Sequence, residues 1–324
     1  MTLPRHVIPG RTLLVTRRCF GRMFLLRPSP QVEAVFSYCL ALAAEKYGIQ
    51  VHALIVLSNH WHGLVTDPRG TLPEFLRWLH CNVAKALNVH LRRGESLWAP
   101  GSYSAVHLGD EAAVLDKLVY VITNGVAAGL VPTPGEWPGL HTLAVDVGTR
   151  VVDGARPDFF FRQPAAEADD EADGAAGSAR ARRRRREPAR DPLPDRARLA
   201  ITVPPAFAAM PPEDFRALLG RAVDDRVAQL HRQRAGRPWL GAEAVLGQEP
   251  NASPGSTAAD GSLNPRIACR DKWRRIELLE TQVEFWHEYR QALARYRQGD
   301  RDAVFPEGTY WLRVQFGVTC RAAA

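Results

Sequence analysis

The stretch that decides the fold is residues 50–66, QVHALIVLSNHWHGLVT, where two apolar runs flank the polar pair SN. Each run has the length of a strand, and a turn between them predicts a hairpin. Because residues i and i+2 of a strand share a face, His60 and His62 point the same way and Trp61 points the opposite way. Two adjacent imidazoles supply half of a divalent-metal site, although buried histidines with satisfied hydrogen bonds would give the same pattern.

The segments before and after this hairpin alternate between strand and helix patterns up to about residue 150. Upstream, residues 11–18 (RTLLVTRR) predict a strand. The next segment predicts a helix that begins after Ser29 and ends at Gly48, since serine is a common N-cap and glycine a common C-cap.

Downstream of the hairpin, Thr71 and Glu74 have the spacing of a capping box and predict the start of a second helix. Residues 101–108 (GSYSAVHL) predict a further strand, and Asp110 caps a third helix that ends near Asn124. This order predicts an α+β domain, residues 1–150, with helices on one face of an antiparallel, ferredoxin-like sheet.

The composition changes sharply after this domain. Residues 156–198 hold an acidic cluster and then the arginine run 182–186, among Pro, Gly and Ala, which predicts a charged, disordered linker. Residues 199–324 carry two long helical patterns, and we predict a mainly helical C-terminal region with no assignable function.

The bulk composition narrows the classes of protein. The net charge is +7, which favours a polyanionic partner such as nucleic acid, although an arginine-rich composition alone would also produce it. Five widely spaced cysteines without a CxxC pair fit reduced thiols in a cytoplasm. No apolar run approaches the roughly 18 residues of a membrane helix, so we expect a cytoplasmic protein that does not bind membranes.

The third helix carries a polar stripe. Lys117, Tyr120 and Asn124 are three and four residues apart and therefore lie on one helical face. A phenol can act as a nucleophile, an amide oxygen can bind a metal, and an ammonium group can hold a phosphate, so the stripe suits phosphoryl transfer. A tyrosine on a helix is more often a packing residue, and the stripe gains meaning only beside the two histidines.

Two motifs together resemble the single-tyrosine HUH transposases, which include bacterial insertion-sequence transposases and their REP-associated relatives. The segment VLSNHWHGLV resembles the strand that carries the two histidines of that family, and LVYVITNGVAAGLV resembles its tyrosine helix. The match covers roughly residues 10–140. The family has Asn-Pro where this chain has Asn124-Gly125, and we expect Gly125 to form the same exit from the helix through a positive φ.

The resemblance implies a set of roles. His60, His62 and Asn124 would hold Mg²⁺ or Mn²⁺, and Tyr120 would attack single-stranded DNA to form a 5′-phosphotyrosine. Lys117, Arg17, Arg18, Arg22 and Arg27 would bind the DNA. The expected fold is the HUH nuclease core, the expected partner is single-stranded or hairpin DNA, and the expected location is the bacterial nucleoid. The resemblance also allows a homodimer.

Three other classes share some of these features. A DNA-binding protein derived from a transposase would keep the fold and the basic surface without catalysis. A replication initiator or relaxase would use the same histidine pair but place its tyrosine differently. A zinc hydrolase would need a third histidine or carboxylate at a fixed spacing, and we find none in the sequence.

Overall fold

The structure is a computed structural model that describes residues 4–101, 103–159, 193–255 and 265–322. Its strands are β1 (Arg11–Arg18), β2 (Gln50–Leu57), β3 (His60–Asp67), β4 (Ser104–Leu108), β5 (Val151–Ala155), β6 (Arg196–Ala200) and β7 (Ile267–Ala268). Its α-helices are α1 (Pro30–Tyr47), α2 (Leu72–His90), α3 (Glu111–Ile122), α4 (Asn124–Ala127), α5 (Pro212–Arg234), α6 (Ala242–Leu246), α7 (Lys272–Arg297) and α8 (Trp311–Phe316).

The main sheet has the strand order β2-β3-β1-β4-β7, and the fold is α+β as predicted. The strands β2, β3, β1 and β4 pair antiparallel in the order of a ferredoxin-like domain. The two-residue strand β7 joins the β4 edge in parallel, and it comes from the C-terminal region. The sequence did not indicate this strand because two residues are too short to form a period-2 pattern.

The hairpin β2–β3 turns at Ser58-Asn59, as predicted. Trp61 is almost fully buried on the side of α1 and α2, where its ring lies 5.4 Å from that of Phe36. Its indole N–H donates to His80 Nε2 at 3.1 Å. The helices α1 and α2 therefore cover one face of the sheet, as predicted. The helix α3 covers the other face, which differs from the predicted placement of all three helices on one face, and this position brings it to the two histidines.

The start of α2 differs from the prediction. Thr71 occupies the N-cap position, but its side chain makes no capping hydrogen bond and instead donates to the Tyr47 carbonyl. The Asp67 carboxylate, at the end of β3, accepts from the backbone N–H groups of Thr71 and Leu72 at 2.9 and 2.8 Å. The predicted capping box is therefore wrong, because a carboxylate from the preceding strand satisfies those donors.

The other two predicted N-caps are confirmed. Ser29 accepts from Val32 N at 3.2 Å at the start of α1, and Gly48 ends that helix with a φ of 68°. Asp110 accepts from Ala113 N at 2.7 Å at the start of α3. The second oxygen of Asp110 also accepts from Asp271 N at 2.8 Å, which ties α3 to the C-terminal region.

The end of the third helix also differs from the prediction. The chain bends at Thr123 and continues as α4, so Gly125 is a helical residue and not the exit. The exit is at Gly129, where φ is +73°. The lack of a side chain at Gly125 has a different use, since a Cβ there would lie 3.3 Å from Val131 Cγ2 and 3.7 Å from the Trp137 ring.

The C-terminal segments join the hydrophobic core of the first domain. The strands β5 and β6 pair antiparallel, and Val152 and Leu199 of this pair are buried. Phe215 and Leu219 of α5 belong to the same core. Residues 160–192 of the predicted 156–198 linker lie outside the described residues, and β6 begins inside its C-terminal end. The long helices α5 and α7 confirm the mainly helical C-terminal region. None of the helices in the described ranges is long and apolar enough to cross a membrane.

Candidate active site

The two histidines of β3 lie side by side on the face that α3 covers. Their ring centroids are 4.8 Å apart with the planes perpendicular. His62 is 5% exposed, and His60 is partly exposed at the end of the strand. The antiparallel register pairs His62 with Thr16 and His60 with Arg18 on β1, so both of these neighbours also face α3.

Each imidazole is held through its Nδ1 atom. His60 Nδ1 donates to the Asn59 side-chain oxygen at 2.6 Å, and His62 Nδ1 lies 2.7 Å from the Thr16 hydroxyl. When Nδ1 carries the proton, Nε2 keeps its lone pair, which is the form that binds a metal. Thr16 and Asn59 were not predicted as site residues. The register of β1 against β3 reveals Thr16, and a single sequence does not contain that register.

The environment keeps both imidazoles neutral near pH 7. Burial lowers the pKa of His60 to about 4, and the charge of Arg18 acts in the same direction. Burial also holds the pKa of His62 well below its usual value, with further lowering from His60, Arg18 and Lys117. In the Nδ1–H tautomer, the two neutral imidazoles present Nε2 lone pairs that are suited to bind a cation.

Tyr120 projects from α3 toward His62. Its hydroxyl lies 3.4 Å from His62 Nε2, a long hydrogen bond, and the two rings are 5.2 Å apart. The residue is 38% exposed. Burial raises the pKa of this hydroxyl, while a hydrogen bond with the Asn124 side chain and the charge of Arg18 act in the opposite direction.

The other two residues of the polar stripe lie next to Tyr120. Asn124 is 7% exposed at the start of α4, one turn after Tyr120. The bend at Thr123 separates the two helices without moving Asn124 away from the phenol. The Lys117 ammonium lies 5.5 Å from the centre of the Tyr120 ring. The structure thus brings Lys117, Tyr120 and Asn124 together with the histidine pair.

The four arginines that we predicted to bind DNA do not form one group. Arg18 is exposed and lies at the histidine pair. Arg17 lies on the opposite face and donates to the carbonyls of Ala99 and Gly101 at 3.0 and 2.9 Å. Arg27 donates to the carbonyls of Leu246 and Gln248 at 3.0 and 3.1 Å.

Arg22 belongs to the short 3-10 helix that follows β1 and has a φ of 56°. Arg18 therefore lies beside the candidate site, whereas Arg17 and Arg27 are engaged elsewhere. Arg17 and Arg27 use their guanidinium groups to hold loops. Sequence cannot show this, because the carbonyls that they contact lie more than 80 residues away.

A cleft of about 660 Å³ opens beside Tyr120, between α3 and α5. The α5 side of the cleft carries Arg226, Gln229 and Arg232, together with Ala222 and the carboxylate of Asp225. Arg270 lines the same cleft and binds Asp116 of α3 through two contacts of 2.7 and 3.0 Å. The C-terminal region thus forms one wall of a cleft that Tyr120 also lines, and no local pattern in the sequence predicts this contact.

The metal-binding potential of the site depends on mixed ligands. Within the described parts of the chain, no group of three His, Cys, Asp or Glu side chains is arranged to hold a metal ion. The candidate ligands are two imidazoles and the amide of Asn124. This donor set has nitrogen and oxygen atoms and no thiolate, which suits hard or borderline divalent cations.

Comparisons with known proteins give weak similarities. No protein-family model and no curated protein matches the chain. Among solved structures, the chain is similar to a REP-associated tyrosine transposase bound to a REP hairpin, with 19% identity and a TM-score of 0.38 over 45% of this chain and 84% of the other. It is also similar to a presumed transposase from Deinococcus radiodurans R1, with 22% identity and a TM-score of 0.26 over 33% of this chain and 85% of the other. Both similarities are too low to define a family, so the proposal below rests on the site.

Proposed function

We propose that this protein is a metal-dependent transposase or nuclease that cuts and rejoins single-stranded DNA through Tyr120. The observation that carries the proposal is the position of the Tyr120 hydroxyl, 3.4 Å from Nε2 of His62 in the buried histidine pair. At this distance from His62 Nε2, the hydroxyl lies next to the atom that would bind a metal ion. A tyrosine nucleophile beside a metal site gives this arrangement a chemical purpose.

The proposed reaction is a transesterification. The Tyr120 oxygen attacks the phosphorus of a phosphodiester, and the bond from phosphorus to the 3′ oxygen of the preceding nucleotide breaks. The phenol loses its proton, the leaving 3′ oxygen gains one, and a 5′-phosphotyrosine remains on the protein. Attack by another 3′-OH reverses the step and joins two strands, so the bond energy is conserved and no ATP is needed.

The residues fit a divalent cation. Nε2 of His60 and of His62 would hold Mg²⁺ or Mn²⁺ together with the Asn124 oxygen, while Asn59 and Thr16 fix the imidazoles from behind. The bound cation would supply Lewis-acid polarisation of the scissile phosphate. Because burial raises the pKa of Tyr120, the phenol is protonated near pH 7 and needs a nearby positive charge to become reactive.

The surroundings of Tyr120 favour DNA as the substrate. Arg18 and Lys117 place two cations at the site, and Arg232 and Arg226 line the cleft next to it. Cations along a groove can follow a phosphate backbone. We propose single-stranded DNA beside hairpins as the natural target, in line with the resemblance of the two motifs to the single-tyrosine transposases.

The test is formation of a covalent adduct. The full chain is incubated with labelled single-stranded oligonucleotides from hairpin-forming DNA that flanks its own gene, with Mg²⁺, Mn²⁺ or EDTA. We expect a labelled protein band that needs the metal and disappears in Tyr120→Phe. The matched control is Tyr47→Phe, since this tyrosine lies at the end of α1 on the opposite face of the sheet. Tight DNA binding with no adduct under any metal would contradict the catalytic proposal.

A further inference from the structure

A second pocket lies on the opposite face of the sheet from Tyr120. Its volume is about 260 Å³, and it is lined by Arg5, Arg17, Arg77, Tyr103 and Trp311 among others. Arg17 follows Thr16 on β1, so strand alternation places the two sites back to back at the same end of the sheet. The pocket is built jointly by the N-terminal segment, α2 and α8, which are far apart in the sequence.

The walls of this pocket are strongly cationic. Three arginines line it, and the lining residues include no carboxylate. Glu74 lies one turn before Arg77 on α2 and is close enough to feel the charges of Arg77 and Arg313, but it does not line the pocket. An excess of guanidinium groups around a partly enclosed space favours an anionic ligand, and guanidinium matches phosphate geometry well.

Two buried polar atoms at the pocket have no partner within the described residues. The Arg17 guanidinium is fixed by its bonds to the carbonyls of Ala99 and Gly101, but its Nε–H has none. The Tyr103 hydroxyl is likewise buried and without a partner in the described ranges. Leaving buried polar groups unpaired is unfavourable, so a hydrogen-bonding ligand that reaches these two atoms would be stabilised.

The aromatic residues of the pocket differ in how far they are exposed. The Arg5 guanidinium covers the ring of Tyr103 at 3.8 Å from its centre. Trp311 is 39% exposed and can stack on a planar ligand. We propose that this pocket binds one nucleotide of a single DNA strand, with its phosphate on Arg77 and Arg17 and its base on Trp311. The choice of DNA as the source of the nucleotide rests on the proposed function. Recognition of a phosphate by arginines and of a planar base by a tryptophan does not depend on it.

The test measures binding without cleavage, in the full chain carrying Tyr120→Phe. The probe is a 12-nucleotide single strand with one 2-aminopurine, followed by anisotropy and by base fluorescence. Trp311→Ala should weaken binding about 5- to 100-fold, the range for loss of one base stack, and should remove the quenching of 2-aminopurine. Trp311→Phe should keep part of both effects. The matched control is Trp273→Ala, which removes a 75% exposed tryptophan outside the pocket.

The phosphate contact has its own readout. Arg77→Gln should lower the slope of log K against log salt by about 0.7, the value for one phosphate of a single strand. Arg221→Gln, an exposed arginine on α5 outside the pocket, should leave the slope unchanged. Deoxyadenosine monophosphate is added as a competitor to learn whether the pocket also binds a free nucleotide. In that case it should displace the strand from the protein with Trp311 but have no effect on Trp311→Ala.

The outcomes separate this inference from the proposed function. If the wild-type chain forms its adduct but Trp311→Ala and Arg77→Gln bind DNA like their controls, the pocket assignment is overturned and the chemistry stands. If no adduct forms but both variants lose binding and quenching, the pocket stands and the chemistry fails. Circular dichroism of each variant must match the parent for either result to count.

Discussion

Replacing Thr16 by valine tests whether the imidazole of His62 must be held in one tautomer. The substitution keeps the shape of the side chain and removes the hydroxyl that lies 2.7 Å from His62 Nδ1. His62 is 5% exposed, so the Nδ1–H would be left unpaired at a cost of about 1–3 kcal/mol. Moving the proton to Nε2 relieves that cost but removes the lone pair that faces Tyr120 and any bound cation.

The size of the effect follows from two independent estimates. Loss of a group that orients a metal-binding histidine typically weakens metal affinity or activity about 10- to 100-fold. Since about 1.4 kcal/mol corresponds to a factor of ten, this range agrees with the cost of the orphaned N–H. We therefore expect the Mn²⁺ concentration for half-maximal adduct formation to rise about 10- to 100-fold in Thr16→Val.

The assay is a Mn²⁺ titration of adduct formation at saturating DNA, with unfolding by denaturant measured in parallel. The matched control is Thr12→Val, on the same strand and face, which loses a buried hydroxyl contact of 2.8 Å to Thr66. That variant should lose stability and keep its Mn²⁺ dependence. If both variants lose stability and neither changes the Mn²⁺ dependence, Thr16 only supports the fold and the reasoning about His62 is refuted.

Three further predictions concern acid stability, packing and the cleft. Burial lowers the pKa of His80 to about 3, below its unfolded value near 6.5, so the unfolded chain binds more protons between these two pH values. The free energy of unfolding should therefore fall as the pH drops from about 6.5 toward 3, by up to about 1.4 kcal/mol per pH unit for this group. Urea unfolding at pH 7 and at pH 5 should show a smaller loss of stability in His80→Gln than in the parent protein. Gly154→Ala should destabilise the protein by about 1–3 kcal/mol in the same urea assay, because a Cβ at this position would lie 2.6 Å from the Tyr38 Cα. An unchanged urea midpoint would show that α1 can move away from the added methyl group. Arg232→Gln should weaken binding of single-stranded DNA and lower the slope of log K against log salt by about 0.7, while the Mn²⁺ dependence of adduct formation stays the same. An unchanged slope would mean that the DNA strand does not pass through the cleft.

Most of the first domain could be predicted because its signals are local. The N-caps Ser29 and Asp110 follow from residue preferences that act within one helical turn. The alternation around Trp61 likewise separates the two faces of β3 without knowledge of the rest of the chain. The predicted capping box at Thr71 failed where a competing partner was available, because Asp67 of the preceding strand reaches the same N–H groups.

The features that could not be predicted depend on distant contacts. Thr16 becomes a site residue only through the register of β1 against β3, and α5 becomes a wall of the cleft only through packing on α3. Arg17 and Arg27 resemble surface cations in the sequence, yet both donate to carbonyls from other parts of the chain. Periodicity within a segment contains no information about such partners.

Locating the covalent bond between protein and DNA identifies the nucleophile directly. The adduct formed in Mn²⁺ is digested with protease and nuclease, and the peptide that retains a nucleotide is sequenced by mass spectrometry. We expect a single modified peptide from α3, with a nucleotide attached through its 5′ phosphate to Tyr120. A nucleotide attached to any other residue, or an adduct of equal yield in Tyr120→Phe, would contradict it.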